Sequence, residues 1–303
     1  MALHDGPPTV CGFSFGKNLS KLNYPVEESV RSILPLCDRF VFVVGESDDD
    51  TRERVAAIDP KVHIIDSQWP DVQVDGKVLA VEANKALGAA EATGCTWGFY
   101  IQADEVVHEA DLPIVRAAME HSAPHDQVKA LLFWFLHFVL DYRTTDPWMY
   151  HKASRVVRLD GTCEIFGDAC GPGLKSYTGS LNDGYLDKHH LGGHVRWARA
   201  PAGGRPARIF HYGWVKTRQM LDEKLKMVER LWWGSLDREE KQRRKQRKYG
   251  RFIERYPILR NYYGSHPAVM RQRIAAHPSL AKRRNRWLNP RFYREVLKRG
   301  FQG

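Results

Sequence analysis

No stretch of the 303-residue chain approaches the ~20 uninterrupted apolar residues of a membrane-spanning helix. The longest candidate, Ala130 to Leu140, is about half that length and contains His137. A helical membrane span is therefore not expected. Cysteine is scarce: Cys11, Cys37, Cys95, Cys163 and Cys170 are odd in number and scattered, with no C-x-x-C pair, so neither a disulfide framework nor a zinc knuckle is implied. The first residues lack the basic start and apolar run of a secretory signal, and a cytoplasmic protein is expected. Internal repeats and recognisable nucleic-acid-binding motifs are also missing, which leaves nucleic acid a poor partner.

What is present is enough for a folded core: 43% of residues are hydrophobic and 27% charged, a balance that excludes wholesale disorder and suits one large or two small domains. Charge is uneven. The formal net charge is +10, yet residues 205–303 carry 27 Lys+Arg against 8 Asp+Glu, so the preceding part is acidic. A basic tail attracts polyanions, and the same pattern also describes a solvated helix face.

Along the chain, apolar runs of strand length alternate with helical spacing. Thr9 to Phe15 reads as a buried strand, and Pro25 opens a helix to about Leu34. Arg39 to Gly45 is an unbroken apolar strand of the kind buried on both faces. Thr51 to Ala57 is a helix that Asp50 can cap while Glu53 reaches back. Lys61 to Ile65 is a strand, Leu79 to Ala92 a helix, Trp97 to Ile101 a third buried strand, and Ala110 to Glu120 a helix. This alternation predicts an α/β fold with a mostly parallel sheet flanked by helices. Lys129 to Leu140 reads as either a long apolar strand or a buried helix, and the Gly-rich stretch 161–204 as loops around a site. From Thr217 the pattern is helical, basic and studded with aromatics, which divides the chain into 1–216 and a 217–303 extension.

Ligands of such sheets gather at the carboxyl ends of the strands, where two acidic clusters fall. Asp104 and Glu105 follow the third buried strand; adjacent carboxylates repel unless a cation neutralises them, and oxygen ligands suit Mg2+ or Mn2+. Taken alone, the pair reads better as a turn and helix cap. Ser47-Asp48-Asp49-Asp50-Thr51 offers carboxylates to a ribose or base edge, or again a cap. Late in the chain, Phe210-His211-Tyr212-Gly213-Trp214-Val215-Lys216 sets an imidazole that can complete a metal's coordination beside a cation that can meet phosphate.

The succession Gly45-x-Ser47-Asp48-x-x-Thr51, Ala83-Asn84-Lys85-Ala86, Trp97-Gly98-Phe99-Tyr100-Ile101-Gln102-Ala103-Asp104-Glu105 and the late His-Tyr-Gly-Trp resembles a family 2-type glycosyltransferase with the nucleotide-diphosphosugar-binding GT-A fold, which is Rossmann-like. The resemblance is clearest from about Val10 to Glu120, loose to Lys216, and does not reach the basic tail. The acidic motif of these enzymes is commonly Asp-x-Asp; here Gln102 stands at its first position, so Asp104 alone aligns. The resemblance implies a hexosyltransferase-like enzyme that moves a sugar, with inversion, from a UDP- or GDP-linked donor to a saccharide or lipid-linked saccharide in cell-envelope polysaccharide or lipopolysaccharide synthesis. It implies metal (Mn2+ or Mg2+) at Asp104, Glu105 and His211, and donor contacts from Phe13, Phe15, Asn18, Asp48, Asp49, Lys85, Gln102 and Lys216; the two phenylalanines read equally as core packing, and a lone histidine such as His211 more often serves structure. The implied general base is Asp168, with Glu164 and Asp183 in reserve. Two rivals stand beside it. One is a non-catalytic polyanion binder using Arg238, Lys241, Arg243, Arg244, Lys245, Arg247, Lys248 and Arg251, with docking at an anionic membrane surface (a peripheral association) favoured over nucleic acid. The other is a nucleotidyltransferase, for which Gly12 to Lys17 is a poor phosphate loop.

Overall fold

A computed structural model describes residues 6–69, 76–176, 194–233, 237, 239–240, 242–243, 258–277 and 285–300. In chain order the first half comprises β1 (Val10–Gly16), α1 (Val26–Ile33), β2 (Arg39–Gly45), α2 (Thr51–Ala56), β3 (Val62–Ser67), α3 (Lys77–Glu91), β4 (Trp97–Tyr100), β5 (Glu105–Val107) and α4 (Leu112–Ser122). Next come β6 (Ala130–Val139), β7 (Thr144–Thr145), β8 (Lys152–Arg158), β9 (Cys163–Phe166), β10 (Gly171–Leu174), β11 (Val195–Trp197) and β12 (Arg208–Trp214). The chain continues through α5 (Arg218–Trp233), β13 (Arg260–Asn261), α6 (Arg271–Ala276) and α7 (Pro290–Arg299).

The sheet has the order β13-β7-β6-β8-β4-β1-β2-β3, with β11 and β12 also paired to β6 and β5 to β12. Strands β1 to β4, β6, β11, β12 and β13 run one way and β5, β7 and β8 against them, so the sheet is mostly parallel. Successive side chains of a strand point to opposite faces, and here both faces are covered. Val10, Phe40, Phe42, Val44, Trp97 and Phe99 enter one core, reached also by Val30 of α1, Val55 of α2 and Val115 of α4. Cys11, Phe13, Phe15, Val41, Val43 and Tyr100 enter the other, beneath Ala83, Ala86, Leu87 and Ala90 of α3. Continuous apolar runs follow from that two-sided burial.

Three expectations are settled by packing. Ala130–Val139 is a strand, because it lies between β8 and β12 and pairs with both. Gly12 to Gly16 is buried β1, and a Cβ at Gly12 would collide with the Phe40 ring, so the glycine serves strand packing and there is no phosphate loop here. Helix α2 is capped one residue early: Asp50 makes no side-chain cap bond, while Asp49 Oδ1 accepts from Thr51 N at 3.1 Å and from its hydroxyl at 2.5 Å.

Beyond residue 216, Tyr262, His266 and Met270 pack on Phe138, Phe210 and Tyr212, and Arg273 holds Glu28 (2.7 Å) and Asn23 (2.6 Å). Of the expected polyanion-binding residues only Arg243 is described, in an exposed pair with Glu239; the others lie outside the described residues. Among the described residues no helix is long and apolar enough to cross a membrane.

Candidate functional site

In the order β3-β2-β1-β4 the chain reverses its direction of winding between β1 and β4, and the crevice outside their carboxyl ends is where doubly wound sheets receive ligands. The chain leaves β1 at Lys17 and Asn18, and leaves β4 through Ile101 to Asp104. It then turns, with Glu105 N donating to Gln102 O at 3.0 Å, and re-enters the sheet as β5. Strand β5 pairs antiparallel with β12, so His211 lies opposite Glu105 and Tyr212 N donates to Asp104 O at 2.7 Å. This ladder delivers a late imidazole to an early carboxylate.

Asp104 is 8% exposed, with Oδ2 3.5 Å from His211 Nε2 and 3.9 Å from Lys224 Nζ. Burial opposes its charge, but His211, Lys224 and Lys216 outweigh that penalty and hold the carboxyl well below the usual range. Lys224 also donates to Gly213 O at 2.8 Å. Lys216, 2% exposed, lies 4.1 Å over the Tyr24 ring, and its Nζ has no hydrogen-bond partner. Burial, with the neighbouring charge of Lys224, pushes this amine well below the ordinary lysine range against the pull of Asp104. The Asp104 carboxylate lies against Gly213 of β12, where any Cβ would strike Oδ2.

His137, buried in β6, orients His211. Its Nε2 is 2.7 Å from Tyr150 O, an atom that only accepts, so that nitrogen carries the proton and Nδ1 is left as an acceptor. His211 Nδ1, 3.1 Å away, must then be the donor. Burial and the adjacent His211 drive the His137 pKa well down, consistent with a neutral ring. The free position of His211, Nε2, therefore faces Asp104 Oδ2, and either a proton or a cation has to lie between them.

Glu105 is not available for that role. It is fully buried and bound by Arg155 through Nε at 2.7 Å and Nη2 at 2.6 Å, so its expected place as a metal ligand is corrected to a structural ion pair. Arg155 is held above its ordinary range because Glu105 more than offsets the burial of its charge. Gln102 spends its amide NH2 on Tyr100 Oη (3.1 Å) and Ala169 O (2.7 Å), and Tyr100 Oη donates to the same carbonyl at 2.9 Å. These bonds pin the β9–β10 turn, and with it half-buried Asp168, to the tip of β4. Glu164 lies on β9, half-buried, and Asp183 lies outside the described residues.

On the donor side the outcome is mixed. Phe13 is fully buried, stacked on Tyr100 at 5.3 Å, and Phe15 packs with Trp69 at 6.2 Å; both are core residues, and the expected nucleotide contact is corrected. They share one parity on β1, and that face is covered by α3. Asn18 accepts from Asp48 N at 3.0 Å, and Asp49 Oδ2 from Lys21 N at 2.9 Å, so Asn18 and Asp49 brace the loops at the β1 and β2 tips. Asp48 is exposed beside Lys21. Lys85 reaches Ser67 Oγ and Glu82, each at 2.7 Å, at the end of β3.

The spacing of the donor set fits a divalent ion. Two ligands held cis by one cation with bonds of about 2.1 Å stand about 3.0–3.4 Å apart, close to the 3.5 Å between Asp104 Oδ2 and His211 Nε2. One carboxylate and one imidazole suit Mn2+ or Mg2+ that takes its other ligands from water and phosphate. Among the described residues no group of three or more His, Cys, Asp or Glu could form a complete cage.

No protein-family model and no curated protein matches the chain. Solved structures do. Glucosyl-3-phosphoglycerate synthase from Mycobacterium tuberculosis with Mn2+, UDP-glucose and phosphoglyceric acid is 18% identical over 43% of this chain and 44% of that one, with a TM-score of 0.30. The same protein with Mn2+, UDP and phosphoglyceric acid is 15% identical over 54% and 61%, at 0.35. A structure described only as a mycobacterial protein is 16% identical over 43% and 41%, at 0.30. The chain thus spans about half the length of the structures it matches. At these TM-scores the likenesses bear on neither the chemistry nor the identity of the chain.

Proposed function

We propose that the chain is a nucleotide-sugar-dependent glycosyltransferase of the GT-A type, with Asp104 and His211 as the protein ligands of a donor-bound Mn2+ or Mg2+. The observation that carries this is His211 Nε2, the ring nitrogen that His137 leaves unused, facing Asp104 Oδ2 at 3.5 Å, beside a buried lysine whose Nζ lacks a hydrogen-bond partner among the described residues, at the carboxyl end of β4. A bound divalent ion supplies charge stabilisation to a leaving diphosphate. Lys216 contributes a donor to that charge without needing to move from a competing bond, and Asp104, held ionised by the basic groups around it, is ready as a ligand at neutral pH. Asp48, exposed at the β2 tip, takes the ribose or base, and Lys85 lies beyond it. Asp168, fixed near the β4 tip, takes the proton of an acceptor hydroxyl as it displaces the diphosphate with inversion.

The acceptor is a saccharide or lipid-linked saccharide, reached at the inner membrane face through the basic 217–303 extension. The polyanion-binder reading rests mainly on residues outside those described, and the nucleotidyltransferase reading loses its phosphate loop to β1. The test is thermal denaturation with UDP or GDP, with and without Mn2+. A nucleotide at about 100 times its Kd adds about 2.7 kcal/mol to the folded state. A Mn2+-dependent shift with one nucleotide, lost in Asp104→Asn, is expected; an undiminished shift in that variant removes the assignment. Asp168→Asn is expected to lower kcat and keep the shift.

A further inference from the structure

We propose that a groove where β11 and β12 meet β6 binds a sugar ring bearing a carboxylate or phosphate, at a place separate from Asp104. The groove, ≈ 410 Å³, is lined by Trp134, Trp197, Arg199, Arg205, Pro206 and Arg208, and is of the size of small-ligand sites. Trp134 and Arg208 are register partners on β6 and β12. His137 and His211 are partners three residues further along the same strands, and an odd offset puts them on the opposite face of the sheet. The groove is therefore not the donor crevice, and it stands whether or not the transferase reading does.

Its chemistry is one-sided. Three guanidiniums and two indoles offer only donors, and among the described residues no carboxylate, amide or hydroxyl side chain lines it. Asp111, buried, fixes two of the arginines by accepting from Arg205 Nη2 and, at 2.9 Å, from Arg208 N. Among the described residues, buried Arg208 Nε has no hydrogen-bond partner and exposed Arg199 shows no side-chain hydrogen bond or ion pair. An acceptor-rich anion completes such a set. The floor is aromatic and braced: Trp134, 40% exposed, is stacked on His151 at 5.7 Å and 11° and tilted 33° from Trp197 at 6.1 Å. Two indoles at that tilt cannot clamp a flat base between them, and the lining lacks the acceptors that a base edge requires alongside donors. The apolar face of a pyranose needs only one such surface, with its anionic group turned to the arginines.

The test uses the intact protein with glucuronate, glucose 6-phosphate, glucose, inorganic phosphate and UMP as probes, followed by calorimetry and tryptophan fluorescence. Glucuronate or glucose 6-phosphate is expected to bind at least tenfold more tightly than glucose or phosphate. The binding is expected to weaken at least tenfold in Trp134→Ala and Arg208→Gln. Arg199→Gln, on an exposed side chain, is the variant to read if Arg208→Gln does not fold. The Mn2+-dependent nucleotide shift, recorded in parallel, is expected to survive all three and so separates this site from the Asp104 centre. No probe binding at millimolar concentration, equal binding of glucose or of phosphate alone, tighter binding of UMP, or affinity unchanged in the variants overturns the proposal.

Discussion

Glu105→Gln separates a structural ion pair from a metal ligand. In the parent, Glu105 and Arg155 are both fully buried, and Arg155 directs two of its bonds at the carboxylate and two more at Ser154 O (2.9 Å) and Cys170 O (2.7 Å). The substitution conserves size but leaves the guanidinium charge unmatched, with only the rings of Tyr100 and Phe135, 5.2 and 5.0 Å from its centre, as further support. Losing one member of such a pair costs about 3–5 kcal/mol. With an unfolding entropy of about 2.1 cal/mol/K per residue, a chain of this length loses roughly 5–8 °C in Tm. Circular-dichroism melts measure the loss, and Glu105→Gln/Arg155→Met is expected to recover part of it by removing the stranded charge. A melt within about 1 °C of the parent, with Mn2+-dependent nucleotide binding abolished, would refute the reasoning and return Glu105 to the metal.

Three other outcomes follow from the same geometry. Gly213→Ala is expected to displace Asp104 Oδ2 and to weaken the Mn2+-dependent nucleotide shift at least tenfold in affinity, measured by titration; unchanged affinity means the two strands can part cheaply. His137→Phe keeps a buried ring but removes the acceptor for His211 Nδ1, so Mn2+ affinity is expected to drop about 10–100-fold, the usual effect of losing an outer-shell partner, as read by calorimetry without substrate. His266, half-buried against Tyr212 with Nδ1 2.8 Å from its Oη, has its pKa lowered by desolvation to about 4. Between the unfolded value of about 6.5 and that folded value the unfolded chain binds the extra proton, so stability is whole above the window and falls as pH drops through it. Urea midpoints at pH 7.5 and 4.5 check this, and His266→Asn is expected to flatten the difference.

The fold was legible where burial is two-sided. Arg39–Gly45 reads as a strand without ambiguity because every residue after Arg39 is buried. The same fact decides the role of Phe13 and Phe15: a strand covered on both faces, here by α3 on their side, leaves its aromatics no ligand to touch, and core packing is the reading that holds. Asp104 and His211 were found by residue type, while their meeting depends on the β5–β12 register, which no local pattern encodes. Two partners were missed although signals existed. His137 interrupts an otherwise apolar strand, and Arg155 lies in another buried one; a polar group in such a place requires a partner, and those partners are His211 and Glu105. Lys224 gave no signal, since one lysine in a lysine-rich helix looks like surface.

Because the acidic tip of β4 receives its counter-charges from β12 and α5, a chain halted before residue 208 would keep its doubly wound half and still lack a working centre. Asp104 would then be a carboxylate with no imidazole and no ammonium beside it, and β6 would expose the edge that β12 otherwise occupies. Truncation should therefore abolish the proposed nucleotide binding and solubility together, tying both to completion of the sheet.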